Sequence, residues 1–245
     1  MTCIRIHEIL ANPAALFHAT AEEFIRIGHA AIGAHGRFTV ALSGGSTPRS
    51  LYALLAKDYL DFDWTRTYLF FGDERHVPPD HADSNYRMVN ESLLAKIPIP
   101  RENVFRIRAE LPDPAAAASD YEEKLRAFFH LKPGEFPRLD LILLGLGPDG
   151  HTASLFPGSA GLKEQSRLVI ANWVEKFNTN RITFTFPVLN HAEDVIFLTS
   201  GPDKAAMVQQ ILEGHAGIPF PAQQIAPQGR LVWMLDEQAA AKLRR

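Results

Sequence analysis

"ALSGGSTPRSLY", residues 41–52, lies between an apolar run and the start of a helix, and its reading decides the fold. The run "RFTVALS" (37–43) reads as a buried strand, and the pattern turns helical from about Pro48 through Leu55. In open α/β sheets, a loop that leaves the C-terminal end of a strand and opens a helix is where ligands bind. Gly44 and Gly45 can take backbone angles closed to other residues and let a ligand approach the main chain. Ser46 and Thr47 add hydroxyl donors, and Pro48 suits a first helical turn. The free amides and the positive end of the helix dipole favour an anion such as phosphate. Composition alone fits equally well a tight turn whose Ser or Thr merely caps the helix. No Gly-Lys-Ser/Thr follows, so this is not a Walker loop.

Outward from this stretch, apolar runs alternate with helical ones. "TYLFFGDER" (67–75) reads as a strand ending in charge, and "SNYRMVNESLLAKI" (84–97) as a helix with Ser84 as N-cap. "DPAAAASDYEEKLRAFFHL" (113–131) predicts a helix capped by Asp113, with Pro114 at its first position. "LDLILLGLG" (139–147), "RLVIANWV" (167–174), the alternating "RITFTF" (181–186) and "DVIFLTSG" (194–201) read as strands. The helix "PDKAAMVQQILEG" closes at Gly214; a last strand, "RLVWMLD" (230–236), precedes a last short helix, "EQAAAKL". Strands that are apolar throughout and separated by helices indicate a mostly parallel sheet with helices on both faces. The Pro-rich "GIPFPAQQIAP" (217–227) reads as a surface loop, not a domain boundary, so one domain over residues 1–245 is expected.

Position then favours the anion reading of the first loop. "GDERHVP" (72–78) and "GLGPDGHTASLFPG" (145–158) also follow apolar strands. Three such loops converge on one edge of a parallel sheet and bring together Asp73, Glu74, Arg75, Asp149 and His151. The acid–arginine triplet fits equally a solvated ion-pair cluster of small energetic weight. "GLGPDG" matches the dinucleotide pattern, but that fingerprint needs a long helix from its third glycine. Pro157 and Gly158 stop any helix within two turns. His151 is the best candidate for chemistry, because an unperturbed imidazole titrates near pH 6.5 and can act as a base at neutral pH. Asp149, two residues away, can orient it. Lys204 stands at a helix N-terminus, where a cation is mildly unfavourable unless an anion is bound nearby.

Composition sets the outer bounds. With 245 residues, 46% hydrophobic and 22% charged, and a formal net charge of −3, the chain is an ordinary globular one without a basic block for nucleic acid or membrane. The only cysteine is Cys3, which excludes an internal disulfide and a cysteine-based zinc site. "MTCIRIHEIL" contains no signal-peptide core, and no apolar run reaches the roughly 20 residues of a membrane span. A cytoplasmic setting is expected.

The combination of "SGGSTP", "DER", "GLGPDGHTASLFPG", "RITFT" and "SGPDKA" resembles the 6-phosphogluconolactonases, and the resemblance runs from about residue 38 to 236. It implies a single Rossmann-like α/β domain that needs no metal or cofactor. The implied activity is hydrolysis of 6-phospho-D-glucono-1,5-lactone to 6-phospho-D-gluconate in the oxidative pentose phosphate pathway. The implied partner is that small sugar-phosphate lactone, bound by a monomeric chain. The resemblance places the phosphate among Gly44, Gly45, Ser46, Thr47 and Lys204, with Arg75 and Arg181 as further cations and Asp73 among the substrate-binding residues. His151 is then the general base and Asp149 its orienting carboxylate, while the oxyanion donor is Arg75 or a loop amide.

Two alternatives accompany this reading. Glucosamine-6-phosphate deaminases share the Gly-rich loop and the Asp-Gly-His segment. They usually carry Asp-Glu-Tyr at the strand end, and a catalytic glutamate where this chain has Phe156. A phenylalanine cannot assist proton transfer, so the chemistry disfavours deamination. A non-catalytic sugar-phosphate-binding regulator would be expected to lose the histidine, and this chain keeps it.

Overall fold

The computed structural model describes residues 3–214 and 217–244; of the N-terminal "MTCIRIHEIL", Met1 and Thr2 lie outside them. In chain order the first half comprises β1 (Ile4–Leu10), α1 (Pro13–His35), β2 (Phe38–Leu42), α2 (Ser46–Asp58), β3 (Thr67–Phe71), β4 (Asp73–Arg75), α3 (Asn85–Val89) and β5 (Val104–Phe105). The second half comprises α4 (Pro114–Phe129), β6 (Leu141–Leu144), β7 (Val169–Val174), β8 (Thr179–Phe184), α5 (Phe186–His191), β9 (Asp194–Thr199), α6 (Ala205–Glu213) and β10 (Arg230–Asp236).

Seven strands form one parallel sheet in the order β1-β10-β9-β6-β2-β3-β5. Every residue of β2, β6 and β9 is buried, as strands covered on both faces require. From β2 the chain builds outward to β3 and β5, then returns to the other side of β2 with β6. β2 and β6 therefore flank the point where strand order reverses, and the crevice beyond their C-terminal ends is the expected ligand position.

Two buried tyrosines pin this edge. The Tyr52 hydroxyl on α2 donates to the Ser43 carbonyl (2.9 Å) and accepts from the Ser43 amide (3.0 Å). The Tyr121 hydroxyl on α4 does the same for Phe71, at 3.2 and 2.8 Å. Burial pushes both phenol pKa values well above the ordinary range, so each stays a neutral hydroxyl that both donates and accepts.

Three expectations need correction. "TYLFFGDER" is two strands: the chain leaves β3 at Gly72 and enters a separate antiparallel sheet, β4-β8-β7. The segments 167–174 and 181–186 contribute β7 and β8 to that small sheet, with Phe186 already in α5, because four residues join β7 to β8 and a parallel crossover needs a dozen or more. The Gly72 amide donates to the Leu42 carbonyl while its carbonyl accepts from Phe184, which joins the two sheets. "EQAAAKL" forms turns, with Ala240 bonded back four residues to Asp236 but Leu243 only three, to Ala240. The Asp236 carboxylate, which also shapes the turn at Gly201, accepts from the Ala239 amide and holds the start of the segment as a turn.

Elsewhere the helix starts agree with the sequence. Ser84 accepts from the Arg87 amide and Asp113 from that of Ala115, although the helix after Ser84 passes into a π-helical turn at Asn90–Leu94. α2 begins at Ser46, two residues before the expected Pro48.

Candidate active site

Gly45 is the N-cap of α2, with φ +112° and no side-chain hydrogen bond to the helix end. The first amides of α2 are therefore left to an external acceptor. Gly44 is fixed by a close approach, since a Cβ there would overlap the side-chain amide of Asn85. Asn85 donates from Nδ2 to the Asp73 carbonyl (3.0 Å) and, more weakly, to Asp73 Oδ1 (3.4 Å). The other Asp73 oxygen accepts from Ser154 Oγ at 2.6 Å. Gly44, Asn85, Asp73 and Ser154 thus link the three loops that the sequence placed on one edge.

Within the triplet the roles diverge. Glu74 is buried and accepts from the amides of Arg75, Asn85 and Tyr86 and from Ser84 Oγ, so it caps α3 and does not face a ligand. Burial raises its pKa and outweighs those hydrogen bonds. Arg75 faces the other way, with Nη1 donating to the Asp83 carbonyl, and is paired across the β4–β8 ladder with Arg181. Burial first, and then the Arg75 charge, lower the Arg181 pKa from the ordinary arginine value; its Nε has no partner among the described residues.

Beyond β6, the loop folds back so that His151 Nδ1 lies 2.5 Å from Asp149 Oδ1. Gly147 makes room, because a Cβ there would overlap the imidazole. The ring stacks on Phe156, with centroids 4.0 Å apart. Burial opposes ionisation of Asp149, but hydrogen bonding to His151 and its charge prevail and hold the carboxyl below its ordinary range. An ionised Asp149 accepts a hydrogen bond from Nδ1–H, and this tautomer leaves Nε2 with a lone pair able to accept a proton. No helix follows Gly150; a bridge between Thr152 and Leu155 does, so this loop does not build a dinucleotide cradle.

β9 delivers Lys204 to the same edge, one strand beyond β6. Asp236 at the end of β10 accepts from Ser200 Oγ and the Gly201 amide, which shapes the turn before Lys204. The Lys204 amine lies 3.3 Å from Asp203. Sequence reasoning missed Asn85, Ser154, Lys176 and Phe177. Asn85 follows the helix cap Ser84 and Ser154 lies within the 145–158 loop, but no local pattern ties either to Asp73. Lys176 and Phe177, which stand beside Asp149 and Phe156, lie on a hairpin turn with no motif of its own.

A cavity of about 670 Å³ opens at the opposite, N-terminal edge, beside Arg37, Asp140 and Asp194. Its acids are occupied: Asp140 by Thr39 and His35, Glu193 by Arg138, and Asp194 by Arg230. Among the described residues, no group of three or more His, Cys, Asp and Glu side chains could hold a metal ion, and no helix is long and apolar enough to cross a membrane.

Fold and edge together define a doubly wound α/β protein whose ligand edge carries a helix start without a side-chain cap and a histidine–aspartate pair. Residues 11–233 match the family described as glucosamine-6-phosphate isomerases/6-phosphogluconolactonase. The chain is 42% identical over 237 residues to 6-phosphogluconolactonase of Nostoc sp., covering 96% of this chain and 97% of that one. Its fold matches 6-phosphogluconolactonase from Trypanosoma cruzi with a TM-score of 0.89 at 31% identity, over 100% of this chain and 99% of the other. A monomeric glucosamine-6-phosphate deaminase shares the fold at 20% identity and a TM-score of 0.81, over 98% and 100% of the two chains. The chain belongs to the glucosamine-6-phosphate isomerase/6-phosphogluconolactonase family.

Proposed function

We propose that the chain is a 6-phosphogluconolactonase, which hydrolyses 6-phospho-D-glucono-1,5-lactone to 6-phospho-D-gluconate in the oxidative pentose phosphate pathway. The observation that carries this choice within the family is the contact of His151 with Asp149 on one side and with the ring of Phe156 on the other. The group against the imidazole is apolar, as a lactonase tolerates and a deaminase relying on a carboxylate there does not. The identity of 42% over nearly the whole chain supports the same reading.

In this proposal Gly44, Gly45, Ser46, Thr47 and Lys204 hold the substrate phosphate, with Arg75 and Arg181 as the flanking cations. Asp73 shapes the pocket between them through Asn85 and Ser154. His151 Nε2 takes a proton from water as its oxygen bonds to the lactone carbonyl carbon. The carbonyl π electrons move onto oxygen, and a donor such as Arg75 or a loop amide meets that charge. When the tetrahedral species collapses, the bond from the carbonyl carbon to the ring oxygen breaks and the imidazolium returns its proton to that oxygen. Asp149 holds the ring and balances its charge throughout. The reaction is set in the cytoplasm and in a single chain.

The test supplies fresh 6-phosphogluconolactone and compares its hydrolysis with the spontaneous rate, with ammonia release from glucosamine 6-phosphate followed in parallel. Hydrolysis above background without ammonia supports the proposal. Ammonia release at a comparable rate overturns it.

A further inference from the structure

The tip of the β7–β8 hairpin stands over the histidine–aspartate pair. Val174 pairs with Thr179, and Glu175–Phe177 make one 3₁₀ turn closed by Asn178 at φ +49°. Phe177 is 46% exposed, so the hydrophobic core does not account for its place. Its ring meets three groups. The Arg181 guanidinium carbon lies 5.4 Å from the ring centroid, and Lys176 Nζ lies 5.5 Å from it. Phe156 meets it edge to face, with centroids 5.9 Å apart at 80°. Each of these neighbours touches the site in turn. Phe156 stacks on His151, Lys176 Nζ lies 3.5 Å from Asp149 Oδ2, and Arg181 is paired with Arg75.

We propose that Phe177 is a positioning residue for the lactone hydrolysis set out above, and the inference rests on that reading. Through its face it holds Arg181 where the substrate anion binds, and through the edge-to-face contact it braces Phe156 against His151. A guanidinium is drawn to an aromatic face by the ring quadrupole, an attraction that an aliphatic side chain of similar bulk does not supply. An edge-to-face pair likewise has a preferred geometry that fixes the tilt of the second ring. One exposed side chain thereby sets both the anion-binding cation and the plane of the base. Loss of the first contact acts on KM, and loss of the second on kcat.

The test uses the full chain carrying Phe177→Ala, Phe177→Leu or Phe177→Tyr. It reads kcat and KM on fresh lactone, with the spontaneous rate subtracted, together with the thermal unfolding midpoint. For Phe177→Ala and Phe177→Leu, KM should rise roughly three- to tenfold and kcat fall several-fold, with the midpoint unchanged. Phe177→Tyr should restore both parameters, because it keeps the ring face and edge. Phe177→Leu with wild-type constants would overturn the inference, as would a loss of activity that follows a fall in the midpoint and is not rescued by Phe177→Tyr. Phe177→Ala within twofold of an active wild type would overturn this inference alone. A wild type no faster than the spontaneous reaction would overturn the proposed function and this inference with it.

Discussion

Arg75 and Arg181 stand directly opposite one another on β4 and β8, two like charges on adjacent antiparallel strands. Such pairs destabilise a sheet by roughly 0.2–1 kcal/mol, so the arrangement costs the unliganded fold something. An anion between the two arginines turns that repulsion into shared attraction. Arg181→Met should therefore stabilise the free protein by a few tenths of a kcal/mol up to about 1 kcal/mol while raising KM for the lactone. Urea unfolding measures the first effect, and steady-state kinetics on fresh lactone the second. If Arg181→Met lowered stability and left KM unchanged, the pair would be structural.

The phosphate should be a required handle. Lys204→Ala should raise KM, and unphosphorylated gluconolactone should be turned over far more slowly than its 6-phosphate at the same low concentration. Gly44→Ala should do more harm than Lys204→Ala, because its methyl displaces Asn85 and with it Asp73. Overpacking of this kind typically costs about 1–3 kcal/mol. Steady-state kinetics on both lactones and thermal unfolding of Gly44→Ala check this. Equal turnover of the two lactones would remove the phosphate from the account.

Glu74 and Asp149 should respond to pH with opposite signs. Glu74 has a raised pKa in the fold, because its burial outweighs its hydrogen bonds. Its contribution to stability is thus present below the unfolded pKa and is lost as pH rises through the folded one. Burial opposes ionisation of Asp149 too, but there His151 prevails and the folded pKa is lowered. Its contribution is present above the unfolded value, about 3.9, and is lost as pH falls through the folded one. Unfolding free energies from pH 3 to 7 for wild type, Glu74→Gln and Asp149→Asn should show this crossing. Glu74→Gln should remove the loss of stability with rising pH that Glu74 contributes, since an amide does not titrate. Unchanged stability with abolished hydrolysis would instead make Glu74 the base.

How much of this was legible in the sequence depended on whether a feature is local. The glycine loop, the Asp149–His151 pair and the caps at Ser84 and Asp113 are short-range patterns, and the structure keeps each of them. β1 was harder, because Arg5, His7 and Glu8 interrupt the apolar residues of a strand at the sheet edge. α1 carries its signal in Asn12 and Pro13, a pair that also begins turns. The switch at Gly72 depends on a partner strand more than a hundred residues later, and no local pattern reports it. The contact of Asn85 with Gly44 and the place of Phe177 above Phe156 are likewise products of tertiary packing.

The most direct measurement is the turnover of fresh 6-phosphogluconolactone by His151→Ala beside wild type, with the spontaneous rate subtracted. General-base assistance is worth roughly 10² to 10⁴ in rate, and kcat should fall by about that much. Binding of 6-phosphogluconate should persist, because the loop of Gly44 and Gly45 is held by Asn85 and Tyr52 without help from His151. His151→Asn should not rescue the rate, since an amide can hydrogen-bond but does not serve as a base. The account predicts an inactive variant that still binds product. Near-normal turnover by His151→Ala would contradict it and send the search for the base to Asp73 and Asp149.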